Sequence, residues 1–142
     1  MINWKQRYQQ VHEHWFKQNT PQTYDDGHYC TPKYPDVRKA NGLTLAVCNF
    51  VNWSGYRATR ISTTGRQVGG KWIYGNTRKG TADISLTIKG MAVQIEIKVG
   101  ADRASEHQLK EQAKERAAGG VYEFVSTMEQ FIEFYDAFLN KV

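Results

Sequence analysis

The sequence predicts an α/β fold whose core runs helix, three strands, helix, strand, helix, with one more helix ahead of it. Three observations carry this. Residues 83–99 alternate apolar and polar side chains on both sides of Lys89-Gly90. Two Ser-led capping patterns follow, and both ends of the chain repeat apolar residues at helical spacing. A chain of 142 residues is long enough for one domain with its own core and short for two.

Trp4, Tyr8, Val11 and Trp15 recur at helical spacing, so residues 3–18 form an amphipathic helix. Residues 19–41 hold all three prolines and read as an irregular connection, either a mobile arm or a packed extended segment. Residues 1–40 are thus an N-terminal helix and linker, and 41–142 are the main α/β unit. Leu43, Ala46, Val47, Phe50 and Val51 mark a helix that stops at Gly55. Tyr56 to Ser62 reads as a strand, and a Gly-rich basic segment follows it. Ile84, Leu86 and Ile88 then alternate with Asp83, Ser85 and Thr87, as do Val93, Ile95, Ile97 and Val99 with Gln94, Glu96 and Lys98. Ser105 and Gln108 open a helix in which Leu109, Ala113 and Ala117 share a face, and Gly119-Gly120 ends it. Val121 to Val125 is a short strand. Ser126 and Glu129 form a second capping box before a helix striped by Met128, Phe131, Ile132, Tyr135, Phe138 and Leu139, with Phe134 widening the stripe.

The net charge of +5 is unevenly spread. Between Val37 and Ala82 there is no Asp or Glu, while Arg38, Lys39, Arg57, Arg60, Arg66, Lys71, Arg78 and Lys79 are all basic. A one-signed block predicts a polyanionic partner, nucleic acid or an anionic membrane, unless it is only a solvated face. Trp72 and Tyr74 lie among these cations, the mixture of charge and stacking faces that nucleic-acid grooves use. No apolar run suits a membrane span and residues 1–10 lack a signal-peptide core, so an intracellular, cytoplasmic protein is expected. Cys30 and Cys48 have no metal or redox spacing and fit a reducing compartment.

A turn at Lys89-Gly90 sets Ser85 opposite Gln94 and Asp83 opposite Glu96, with Lys98 on the same face as Glu96. Opposed like charges are destabilising. Either Lys98 neutralises Glu96 on a solvated sheet face, or a hard divalent cation sits between the carboxylates, since such ions favour one or two carboxylates plus water. His12, His14 and His28 have no zinc-ligand spacing. His107 is read as an exposed residue of its helix's first turn, and Gln108 has a structural reason of its own in the capping box. No nucleophile elbow, Walker loop or dinucleotide fingerprint is present, which argues against the corresponding hydrolases, NTPases and nucleotide-cofactor enzymes.

The element order, Gly80-Thr81-Ala82-Asp83, Glu96-Ile97-Lys98, Gln108 and the Gly-Gly-strand ending together resemble the PD-(D/E)XK nuclease superfamily, and within it the small stand-alone VRR-NUC domains of phage and bacteria. The likeness covers about residues 41–140 and implies a restriction-endonuclease-like core. It implies that Asp83, Glu96 and the Ile97 carbonyl bind Mg²⁺ or Mn²⁺, that Lys98 positions or polarises the attacking water, and that Gln108 orients the site. It further implies a metal-dependent DNA endonuclease, structure-specific and acting on branched DNA; the two apolar helix stripes offer a face for a homodimer, unless both cover the sheet within one chain. Arg60, Arg66, Lys71, Trp72, Tyr74, Arg78 and Lys79 are the expected nucleic-acid contacts. The alternative is a catalytically silent DNA-binding module or an accessory subunit of a phage or mobile-element assembly. Two departures stand out. Residues 43–54 carry no acid, so a second metal is not implied, and Arg60-Ile61-Ser62 stands where Arg-x-Asn is frequent.

Overall fold

The computed structural model describes residues 2–61, 66–73 and 82–142. Of the expected nucleic-acid contacts, Tyr74, Arg78 and Lys79 lie outside them. The elements are α1 (Trp4–Asn19), α2 (Pro21–Asp25), α3 (Ala40–Trp53), β1 (Arg57–Arg60), β2 (Arg66–Val68), β3 (Lys71–Ile73), β4 (Ile84–Ile88), β5 (Met91–Ile97), α4 (Glu106–Ala117), β6 (Val121–Val125) and α5 (Met128–Lys141). The predicted α/β order is present, with a small hairpin inserted after β1. A mixed sheet runs β1-β4-β5-β6, antiparallel except for the parallel β5–β6 pair. Among the described elements, the β2–β3 hairpin packs against no other helix or strand. No helix among the described residues is long and apolar enough to cross a membrane.

The β4–β5 hairpin turns at Lys89-Gly90, where both residues take positive φ, +50° and +77°. That turn twists in the same sense as the strands it joins. It fixes the register Ser85↔Gln94 and Ile84↔Ile95, and every side chain is thereby assigned to a face. Ile84, Leu86, Ile88, Val93, Ile95 and Ile97 point into one core with Leu43, Val47 and Phe50 of α3 and Met128, Phe131 and Ile132 of α5. Ser85, Thr87, Gln94 and Glu96 line the opposite face.

The α1 helix belongs to this core. Trp4 and Tyr8 are buried in it, Tyr8 OH accepts a 3.0 Å hydrogen bond from Asn49 Nδ2, and Arg7 makes a two-pronged 2.8 Å pair with Asp136 of α5. Of the two alternatives for residues 19–41, the packed segment is observed. After the single turn of α2, the Tyr29 ring packs against His12 and Phe16, and the Tyr34 ring against Trp4 and Tyr8, edge-on or tilted. His12 Nδ1 lies 2.9 Å from Tyr29 OH, an ordinary structural role for that histidine. The α5 stripe is covered by α1, α3 and the sheet within one chain, so its width calls for no dimer face. On α1, Trp15 alone of the stripe is exposed.

Three local expectations change. Of the strand read from Tyr56 to Ser62, Arg57–Arg60 forms β1 and pairs with β4, and Ser62 lies outside the described residues. The N-cap of α5 is Thr127, whose hydroxyl accepts from Gln130 N, while Gln130 Oε1 accepts from Ser126 N at 2.7 Å. The cap is therefore one residue beyond Ser126, and it is no reciprocal box, because Gln130 accepts from Ser126 N and not from Thr127 N. In α4 the face of Leu109, Ala113 and Ala117 is exposed and the helix buries no residue. Its inward face is Gln108, Glu111, Gln112 and Glu115.

Gly42, in the first turn of α3, shows how tightly the connection is fastened. A Cβ there would overlap the carbonyl of Asp36. In a free helix Gly42→Ala would be favourable by about 1 kcal/mol. Here overlap with backbone reverses the sign, and a loss of about 1–3 kcal/mol is expected in urea unfolding. A variant as stable as the parent would mean that residues 29–39 do not approach α3 this closely.

Candidate metal centre

The site forms where β4 begins and β5 ends, at the open edge of the face opposite the core. Glu96 is buried, at 4% exposure, and its two oxygens are held separately. Oε2 accepts from the backbone N–H of Asp83 at 3.0 Å, and Oε1 accepts from Gln108 Nε2 at 2.6 Å. Asp83 answers across the same rung, its Oδ2 accepting from the backbone N–H of Ile97 at 2.9 Å. The Lys98 ammonium lies between Glu96 Oε1, 3.6 Å away, and Asp102 Oδ2, 3.7 Å away.

Burial pushes the Glu96 carboxyl up to about 7, and the neighbouring Asp83 charge pushes the same way. Lys98 and the Asp83 N–H pull it down, but less. The carboxyls thus stand close enough to repel when both are ionised, as the register required.

Gln108 both caps its helix and touches Glu96. Its Oε1 accepts from Ser105 N at 2.9 Å, closing the capping box with Ser105 Oγ on Gln108 N, while its Nε2 reaches Glu96. A helix cap and a site contact share one amide because an amide has an acceptor at one end and donors at the other. Beyond it, α4 is held to β6 by polar groups. Gln112 Nε2 and Arg116 Nη2 both donate to the Tyr122 carbonyl, at 3.0 and 3.3 Å.

The structure gathers Asp83, Glu96, Ile97, Lys98 and Gln108 at one point. The donor set of two carboxylates and a backbone carbonyl suits a hard divalent cation that keeps several waters. Among the described residues, no group of three or more His, Cys, Asp or Glu side chains could hold a metal ion. The expected DNA contacts are more scattered. Arg60 pairs with Ile84, a core-face residue, and its Nη2 donates to Asn41 Oδ1 of α3 at 2.7 Å. Its guanidinium is therefore on the helical side of the sheet, across from the carboxylates. Arg66, Lys71 and Trp72 belong to the β2–β3 hairpin, whose strands, among the described elements, contact only each other.

Sequence reasoning missed the polar inward face of α4 and its partner Tyr122 on β6. The signal was present, because Gln108, Glu111, Gln112 and Glu115 repeat at helical spacing. A search for apolar periodicity passes over such a stripe. Comparison with family models, curated proteins and solved structures finds no match for the chain.

Proposed function

We propose that the protein is a metal-dependent endonuclease acting on DNA, in keeping with its resemblance to the PD-(D/E)XK superfamily and its VRR-NUC members. The carrying observation is that two carboxylates, one of them buried, converge beside a half-buried lysine at the edge of a polar sheet face. Burying a carboxylate against another is costly for a merely solvated surface. A cation relieves that cost.

Asp83, Glu96 and the Ile97 carbonyl would hold the ion, Mg²⁺ or Mn²⁺. When bound, it supplies Lewis acidity and a more acidic water at neutral pH. The chain itself does the rest. The amides of Asp83 and Ile97 and the side chain of Gln108 fix the carboxylate rotamers. Lys98, held between Glu96 and Asp102, offers a positive charge to a phosphodiester oxygen or to the attacking water. The basic block from Arg57 to Lys79 supplies the attraction that brings the polyanion to this face.

The test is incubation of the purified protein with plasmid, single-stranded and four-way-junction DNA, in Mg²⁺ and in EDTA. Cleavage in Mg²⁺ alone is the expected result, and faster cleavage of the junction than of linear duplex would establish structure specificity. Binding without cleavage of any substrate would overturn the enzyme in favour of a DNA-binding module. In EDTA, Lys71→Ala should lower the slope of log affinity against log salt by roughly 0.7–0.9. An unchanged slope would place the DNA track away from the hairpin.

A further inference from the structure

The polar face of the sheet extends well beyond the carboxylate centre, and strand register sorts its side chains into rows. Arg57, Thr87 and Ala92 form one row, and Thr59, Ser85 and Gln94 the next. Asp83 and Glu96 stand in the row after that. Toward the β4–β5 turn this face is open: Arg57, Thr59, Thr87 and Ala92 are exposed, while α4 packs against β6 at the other side. Beside the first row lies a depression of about 390 Å³, lined by Arg57, Thr87 and Lys89 together with Gly55, Tyr56 and Gly90. The two glycines leave it unfilled, each with open space where a Cβ would stand.

The charge of this shelf has one sign. From Gly55 to Arg60 and from Ile84 to Ile95 the chain has no acidic residue, so the shelf is basic up to the row of Asp83 and Glu96. Among the described residues, neither the Arg57 guanidinium nor the Lys89 ammonium has an ion pair or a hydrogen bond. Strand parity separates the two arginines of β1. Arg60 pairs with Ile84 and gives its guanidinium to Asn41 on the helical side, whereas Arg57 pairs with Thr87 and shares a face with the carboxylates. Lys89, for its part, sits at φ +50°, a left-handed conformation uncommon outside Gly, Asn and Asp. Asn-Gly would serve a two-residue hairpin loop better, so a cation kept there points to a use for its charge. Thr59, Ser85, Thr87 and Ala92 are short, and all but Ala92 carry hydroxyls. A sugar-phosphate backbone can lie flat against them and be met by O–H donors.

We propose that Arg57 and Lys89 form a phosphate clamp for the DNA strand whose backbone lies at the Asp83–Glu96 centre. The inference rests on the nuclease reading for the identity of its ligand. Asp83 precedes Thr87, the partner of Arg57, by four residues. That is about 13 Å of strand, and a duplex presents one phosphate per strand every ~3.4 Å of axis, so the clamp grips roughly four base steps from the cut. The planar fork of Arg57 suits two oxygens of one phosphate, and Lys89 acts as a point charge beside it. A grip at one end of the shelf fixes the direction in which the strand crosses the centre. It also sets the attraction apart from Asp83 and Glu96, whose own charges repel the backbone.

The experiment follows binding of a fluorescein-labelled duplex, and of one of its strands alone, to the full chain by anisotropy in EDTA over a series of salt concentrations. The variant combines Arg57→Ala with Lys89→Asn, since asparagine tolerates the left-handed backbone. It should lower the slope of log affinity against log salt by about 1.8 on the duplex and about 1.4 on the single strand, the value for two lost phosphate contacts. Each substitution alone should give half of this, which keeps the test open should the pair fail to fold. Arg57→Lys keeps the charge and should keep the slope. Lys33→Ala removes an equal charge from the connection that packs over α1 and should leave the slope unchanged. An unchanged slope in the double variant, or an equal fall per charge in Lys33→Ala, would overturn the proposal. So would an equal weakening of binding to phosphatidylserine vesicles, which would assign the shelf to a lipid surface. In Mg²⁺ the double variant should raise KM for cleavage and leave kcat as in the parent, because a remote phosphate contact holds substrate and transition state alike. Binding in EDTA needs no turnover, so the two readings fail separately. Cleavage with an unchanged slope removes the clamp alone, and a lowered slope without cleavage removes the nuclease alone.

Discussion

Glu96→Gln is expected to abolish Mg²⁺-dependent cleavage, by about a thousandfold or more, while making the metal-free protein more stable above pH 7. The loss follows from removing a charged oxygen from the centre. The gain follows from linkage. The folded-state carboxyl titrates near 7 against an ordinary value of 4.5, so the folded protein holds a proton that the unfolded chain releases between those values. Through this group stability therefore falls as pH rises across that window. The full cost, on the order of 3 kcal/mol, is reached above about pH 7 and is absent below about pH 4.5. Glutamine carries no charge at any pH and escapes it. Part of the benefit is lost, because Glu96 accepts from both Asp83 N and Gln108 Nε2, and an amide offers only one oxygen. A net gain of about 1–2 kcal/mol at pH 8, vanishing or reversing near pH 4.5, is expected from urea unfolding in EDTA. Added Mg²⁺ should raise the melting temperature of the parent and not that of the variant. A variant less stable than the parent at pH 8 would mean that the two carboxylates do not burden the fold.

Tyr8→Ala is expected to cost about 3–5 kcal/mol, a large share of the roughly 5–15 kcal/mol that holds a domain of this size together. Tyr8 is 1% exposed and meets Trp4, Tyr34 and Trp53 at ring-centroid distances of 5.7, 6.0 and 4.9 Å. Its removal leaves a cavity between α1 and α3 and strips Asn49 of its partner. Trp15→Ala, one face further along the same helix, removes a ring that is 36% exposed and should cost far less. Chemical unfolding of both variants separates the possibilities. Similar small losses would make α1 a detachable extension, whereas the predicted asymmetry makes it part of the core.

The sequence by itself determined whatever depends on near neighbours. A period of two about Lys89-Gly90 settles the hairpin register, and that register alone places Asp83 opposite Glu96. The Ser105-Gln108 box and the stop at Gly119 are equally local, since a cap is satisfied within one turn of helix. Tertiary structure decided everything that requires knowing what lies across from an element. The α4 helix turns its polar side inward because Glu96 and the Tyr122 carbonyl wait there, and nothing within the helix announces them. Thr127 caps α5 where Ser126 was expected, its extended backbone leaving its hydroxyl to accept from Gln130 N. Arg60 reads as a phosphate contact in sequence, but strand parity carries its guanidinium to Asn41 on the other side of the sheet. The helix of residues 4–19 and the extended chain after it, legible only as amphipathic and irregular, acquire their role from the face of α3 and α5 that they cover. Local rules act through a few bonds and survive in the sequence. Burial is a property of the partner, and the partner is chosen by the whole chain.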